Sequence, residues 1–303
     1  MDRRKFIALA GIGIGLLGTA TIGSGSPQPL LRKAIPSTGE QIPAIGMGTW
    51  ITFNIGDDAA TQQQRNQVLR AFFELGGGMI DSSPMYGSSE AVIGRSLREL
   101  GARPGLFSAT KVWTSSGDDG PDEIEASRKL WGVDRFDLLQ IHNLLGWEDH
   151  LETLFDMKAQ GRLRYVGITT SHGRRHRDIE HVMQRYPIDF VQASYNIVNR
   201  DVEQRILPLA AERGIAFIAN RPYRRGSLID KVKRHPLPHW AAELDCETWA
   251  AYLLKFIVSH PAVTCAIPAT SRVDHMRENM RAMSGVVPDA KARQRMSDHV
   301  AAL

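Results

Sequence analysis

The chain has 303 residues, long enough for one large barrel or two small domains. Its apolar share of 43% and charged share of 23% are ordinary globular values and exclude a disordered or fibrous chain. The formal net charge is +4, but the first 33 residues hold Arg3, Arg4, Lys5, Arg32 and Lys33 against Asp2, so the remainder is neutral and gives no case for nucleic acid. Cys246 and Cys265 have no metal-ligand spacing and read as two unpaired buried thiols; no zinc or EF-hand signature is present, and no metal is expected.

The segment MDRRKFIALAGIGIGLLGTATIGSGSP runs from a basic cluster through a glycine-rich apolar stretch to small residues and proline. That is the three-part layout of an export signal. Arg3 and Arg4, followed by Lys5, Phe6 and Ile7, resemble a twin-arginine (Tat) signal, although Asp2 and Ala8 depart from its usual residues. The resemblance implies recognition by the Tat export machinery and delivery to the periplasm. An uncleaved membrane anchor is the alternative; the uncharged run 6–22 is 17 residues, short of the ~20 that span a bilayer. Residues 1–33 are therefore expected to be signal and linker, and 34–303 one folded unit.

Beyond the leader, STGE separates two short extended runs within 34–43 and predicts a hairpin. Strands are then expected at 44–49, up to Asp81, up to Lys111, up to His142, and at 163–169, 189–194, 215–220 and 263–268. Helices are expected at 58–75 with Asp57 or Asp58 as cap, 88–100, from Pro121, 148–160, 177–186, 202–213 and 246–259, followed by two terminal helices. Glu90 lies in the first turn of the second helix, where the helix dipole favours it. Eight strand–helix alternations imply an α/β fold, a (β/α)8 TIM barrel with an N-terminal β-hairpin. No G-x-G-x-x-G follows a strand, which disfavours a Rossmann domain.

Asp81, Lys111 and His142 end three successive strands, 30 and 31 residues apart, and Tyr86 lies just beyond the first of them. Alone, each reads as a solvated turn residue or a satisfied core residue. In a parallel barrel their strand ends share the face that carries chemistry. The set also has a mechanism. A tyrosine is a weak acid, and a neighbouring ammonium favours its phenolate. An aspartate keeps the lysine charged and pointed, and a histidine can orient a carbonyl or share its proton. This suits reduction of a carbonyl.

On these residues, and on STGEQIPAIGMGTW, GMIDSSPMYGSSEAVIGRSL, ATKVW, LLQIH, GRLRYVGIT, VQASYN and IPATSRVDHMRENM in that order, the sequence resembles the aldo-keto reductase superfamily. The resemblance implies that Asp81, Tyr86, Lys111 and His142 form a catalytic tetrad with NADPH/NADP as cofactor. It places Gly48, Thr49, Thr169, Thr170, Gln192, Arg221, Thr270, Ser271, Arg272 and Asn279 against that cofactor. Of these, Gln192 matches the residue that holds the nicotinamide amide. Arg272 matches a basic residue for the 2′-phosphate, and Asn279 one that meets adenine.

Thr169 and Thr170 stand where Ser-Asn is usual, and Asn220 or Arg221 where an aromatic ring usually stacks. Trp50, Phe53, Met85 and Trp113, on loops after the first three strands, read either as an apolar substrate wall or as rim packing. His172, Arg174, Arg175, His176 and Arg177, with Arg221, Arg224 and Arg225, place further charge on the catalytic face, for cofactor phosphates, an anionic substrate or solvent.

The leading expectation is an NADPH-dependent reductase of aldehyde or ketone carbonyls. An exported NADP-binding redox sensor or regulatory subunit is the alternative. A Schiff-base lyase using Lys111 fits the neighbouring Tyr and Asp less well.

Overall fold

The computed structural model describes residues 29–101 and 105–303. The export reading falls on residues outside that range. The first element is a hairpin of β1 (Arg32–Ala34) and β2 (Gln41–Pro43), so ordered pairing starts two residues ahead of the expected boundary. Its turn is closed by Ile35 N–H to Glu40 O at 2.8 Å.

Eight parallel strands follow: β3 (Met47–Gly48), β4 (Met79–Asp81), β5 (Phe107–Val112), β6 (Phe136–Ile141), β7 (Leu163–Thr169), β8 (Phe190–Ser194), β9 (Ala216–Asn220) and β10 (Cys265–Ala266). Each pairs with the next in chain order. Single bridges from Ile45 to Ala266 and from Gly48 to Ala269 close the ring. The seam strands are shorter than the expected 44–49 and 263–268. One cause is Pro268, which accepts from Gly48 N–H at 3.1 Å but has no N–H to return.

Side chains alternate along each strand, so every second residue enters the barrel. Met79, Phe107, Leu138, Tyr165, Phe190, Ile218 and Cys265 fill its lower half, and Ile35 and Ile42 of the hairpin cover them from below. Glu40 fixes the hairpin there by accepting from Tyr165 Oη at 2.6 Å. The expected hairpin is thus observed, and it plugs the barrel floor.

The outer ring holds α1 (Ala59–Glu74), α2 (Ser89–Leu100), α3 (Gly120–Trp131), α4 (Trp147–Ala159), α5 (His176–Arg185) and α6 (Ile206–Arg213). Asp58, not Asp57, caps α1 by accepting from Thr61 N–H at 2.8 Å. The long loop after β9 contains a short helix, α7 (Ser227–Val232), between the elements expected at 215–220 and 246–259. α8 (Trp249–Val258) begins three residues later than expected, because the Thr248 side chain caps it. α9 (Val273–Arg281) and α10 (Ala290–Ala301) end the chain. One continuous apolar core joins strands to helices. Both cysteines are buried and free, as expected.

Among the described residues no helix is long and apolar enough to cross a membrane.

Candidate active site

β4 ends at Asp81, and the chain turns through Ser82 and Ser83 into a single 3-10 turn, Pro84–Tyr86. Pro84 presets the first helical φ, and Ser83 Oγ accepts from Met85 N–H at 3.3 Å. Gly87 then takes φ +61°, where a Cβ would lie only 2.5 Å from Asn54 Oδ1. Glycine is required there by both backbone and space. Asn54 in turn accepts from Ser88 N–H at 3.0 Å, tying the loop after β3 to the Tyr86 turn. The direction of Tyr86 is therefore set on both sides.

The four expected residues converge. Lys111 and Asp81 are each 1% exposed, and Lys111 Nζ donates to Asp81 Oδ1 at 2.6 Å and to Ser82 O at 2.7 Å. The same ammonium lies 5.3 Å from the centre of the Tyr86 ring. His142 meets that ring edge-on, with centroids 5.8 Å apart. Asp81 Oδ2 accepts from Gln140 Nε2 and Gln192 Nε2, each at 3.0 Å. A buried carboxylate with both oxygens bonded can remain ionised opposite a buried ammonium.

Burial opposes the charge on Lys111, but Asp81 and then Tyr86 outweigh it and raise its pKa. Burial also raises the Tyr86 pKa, against the pull of Lys111. Tyr86 thus holds its proton more tightly beside a lysine whose ammonium form Asp81 favours. His142 is held down to about 3 by burial and by the Lys111 charge, so its imidazole is neutral. It can form hydrogen bonds but is not a cation.

Gln140 was missed by sequence reading. Its signal was available: Leu138, Gln140 and His142 share one face of β6, and a polar residue at the middle position of an inward row asks for a partner. Glu90 lies in the first turn of α2, as expected, and is also buried. Its carboxyl accepts from Thr110 Oγ1 at 2.6 Å, Ser127 Oγ at 2.8 Å and Trp131 Nε1 at 3.1 Å. Burial raises its pKa despite these bonds.

The remaining expected residues surround the upper barrel. Gly48 ends β3 and Thr49 follows it; Thr49 Oγ1 donates to Asp81 O at 3.0 Å and Ser82 Oγ at 2.9 Å. Gln192 Oε1 accepts from Asn220 Nδ2 at 3.3 Å, and Asn220 also donates to Thr170 O at 2.9 Å. Thr169 Oγ1 accepts from Asn143 N–H at 3.0 Å, and Thr170 Oγ1 donates to Arg174 O at 2.6 Å.

Thr270 and Ser271 lead into α9, whose N-cap is Arg272. Arg272 is exposed and pairs with Asp274. Asn279 is buried and accepts from Tyr223 Oη at 2.7 Å. Arg65, also unforeseen, donates to Thr52 O at 2.5 Å and Ser271 O at 3.3 Å, joining the two sides of the seam.

Phe53 is fully buried in the main core, so it backs the expected substrate wall and does not line it. Trp113 is 44% exposed, and the Trp50 ring lies 4.1 Å beneath the Arg225 guanidinium.

The arginines divide into two groups. Arg175 is committed to structure: it donates to Asn143 O and Leu144 O at 3.0 and 2.8 Å and pairs with Asp178. Arg221, Arg224 and Arg225 crowd one loop, all with positive φ, and have no carboxylate partner among the described residues. Arg221 also meets His172. Burial and then its two arginine neighbours lower the Arg221 pKa. Such unneutralised crowding fits an anion.

A parallel barrel with ionisable residues converging at its C-terminal face defines an enzyme-type scaffold. The Aldo/keto reductase family model matches residues 44–297, and the chain belongs to this family. Methylglyoxal reductase YeaE of Escherichia coli is 26% identical over 254 residues, covering 82% of this chain and 88% of that protein. An uncharacterized oxidoreductase of Schizosaccharomyces pombe is 30% identical over 258 residues, 78% of each chain. A thermostable aldo-keto reductase solved with the inhibitor epalrestat superimposes with TM-score 0.75 and 29% identity, over 89% of this chain and 99% of that one. An aldo/keto reductase of Klebsiella pneumoniae solved with NADP and acetate has TM-score 0.73 at 24% identity, covering 86% and 93%.

Proposed function

We propose that the protein reduces aldehyde or ketone carbonyls with NADPH, Tyr86 supplying the proton. The observation that carries this reading is the buried Lys111–Asp81 pair set against the Tyr86 ring, with a neutral His142 on its edge. Lys111 favours the phenolate that remains once the Tyr86 proton has gone, and Asp81 keeps Lys111 charged. His142 offers a hydrogen bond to the carbonyl oxygen, fixing it near the Tyr86 hydroxyl.

The cofactor, when bound, supplies the hydride. Gln192 and Thr169 would hold its amide end, and the Arg221–Arg225 loop and Arg272 its phosphates. The arginine cluster, which has no carboxylate partner among the described residues, supports a phosphate-bearing ligand, and solved relatives carry NADP and NADPH. Relatives named as methylglyoxal reductases make small oxoaldehydes the first substrates to try.

A second reading, a cofactor-binding sensor with little turnover, is favoured by Asn220. It has no aromatic face to stack, and its amide is engaged by Thr170 and Gln192. We also propose that residues 1–33 direct Tat export of the folded, cofactor-loaded barrel to the periplasm. Tat export carries folded proteins, which reconciles an export leader with a cytoplasmic cofactor.

Fluorescence titration with NADPH, followed by a carbonyl panel, tests the reductase reading. Binding with turnover is expected. Tyr86→Phe should abolish reduction while leaving NADPH affinity within a few-fold, because only the proton donor is removed. Near-native turnover in that variant would remove Tyr86 from the acid's role. Binding without any turnover would favour the sensor.

A further inference from the structure

We propose that Ser83 is a positioning residue that holds His142 as the tautomer protonated on Nε2. This rests on the reductase reading for its consequence but not for its geometry. Ser83 is completely buried, and its Oγ lies 2.8 Å from His142 Nδ1. A serine hydroxyl has one proton to give and two lone pairs to offer. One lone pair receives Met85 N–H at 3.3 Å. The hydroxyl proton has no acceptor other than His142 Nδ1 among the described residues.

Were the ring protonated on Nδ1, Ser83 would accept from it with the second lone pair, and the serine's own proton would have no acceptor among the described residues. A buried donor left unsatisfied is strongly disfavoured. The alternative costs nothing: Ser83 donates to Nδ1, and the single ring proton resides on Nε2. An imidazolium would face the same conflict at Nδ1, and burial and Lys111 already disfavour it.

Nε2 has no hydrogen-bond partner among the described residues. Ser83 thereby makes His142 a donor at the atom left for a ligand. On the reductase reading, a donor there suits a carbonyl oxygen and an acceptor does not. The 3-10 turn thus sets two groups at once: its end presents Tyr86, and the hydroxyl that caps its start fixes the His142 proton.

The test labels the full chain with [15N]histidine and reads the Nδ1 and Nε2 shifts and their long-range couplings to the ring protons by NMR. The His142 signals are assigned by their loss in His142→Gln. Wild type should show the Nε2–H pattern. Ser83→Thr, which keeps a hydroxyl, should preserve it. Ser83→Ala should move it toward a tautomer mixture or the Nδ1–H form. In parallel, Ser83→Ala should lower kcat for a carbonyl substrate ~10–100-fold with NADPH affinity nearly unchanged, and Ser83→Thr should recover most of the loss.

A wild-type Nδ1–H pattern would overturn the proposal, and so would an unchanged pattern in Ser83→Ala. The wild-type spectrum decides even if Ser83→Ala does not fold. A protein that turns over no carbonyl yet shows the expected tautomer behaviour would defeat the reductase reading and leave the role of Ser83 standing.

Discussion

At the scale of single residues, the charge state of His142 has a measurable thermodynamic signature. Its native pKa is about 3, whereas an unfolded histidine titrates near ~6.5. Below pH ~6.5 the unfolded chain therefore binds a proton that the native state refuses. The stabilising contribution is full above that pH and is lost as the pH falls toward 3. Between pH 6.5 and 4.5 this one residue should cost wild type roughly 2 kcal/mol relative to His142→Gln, which has no such titration. Urea unfolding of both proteins at the two pH values checks this. An equal stability difference at both would mean that native His142 titrates normally. Tyr86 has the opposite sign: its raised pKa leaves its contribution intact below pH ~10 and erodes it only in more alkaline solution.

At the scale of elements, α2 and α3 approach closely behind the site. Gly94 lies one turn beyond Glu90 on the same face of α2, and a Cβ there would fall 1.8 Å from Leu130 O. The obstacle is backbone, so it cannot swing aside. Gly94→Ala should push α3 outward, loosen the Glu90 bonds to Ser127 and Trp131, and destabilise by about 1–3 kcal/mol. A denaturant midpoint matching wild type would show that α3 yields freely.

The same elements show what the sequence made legible. The strand end at Asp81, and those within one residue of Lys111 and His142, were readable because apolar runs with inward period two stop where polar residues begin. Asp58, Gly101 and Pro121 punctuated the helices by known local chemistry. Glu90 was read correctly into the first turn of α2, but its burial was not foreseen because a first-turn position says nothing of which face meets a neighbour. Gln140 and Ser83 were overlooked because their roles exist only across strands: their partners lie 59 residues away in each case. The short helix α7 was hidden because its six residues are flanked by an arginine-rich turn with no periodic pattern.

At the scale of the molecule, charge is unevenly distributed along the chain: the first 33 residues carry the whole net excess. Replacing Arg3 and Arg4 by Lys keeps that charge, so attraction to an anionic membrane survives while specific recognition of the pair is lost. On the export proposal, cell fractionation should find wild type in the periplasm with bound nucleotide and the double-Lys protein retained in the cytoplasm. A double-Lys protein in the periplasm would point to another route, and a wild type that stays inside would remove the export function. Wild type exported without nucleotide would rule out pre-loading alone.

The hairpin of β1 and β2 has a geometric corollary. Strand β1, into which the N-terminal segment leads, lies beneath the barrel floor, and Tyr86, Lys111 and His142 lie at the opposite pole. The chain therefore enters the fold at the foot of the barrel, and its ionisable residues gather at the rim. Anything joined ahead of β1 thus meets the barrel on the side away from the rim, and a fusion there should leave the Tyr86 end unobstructed.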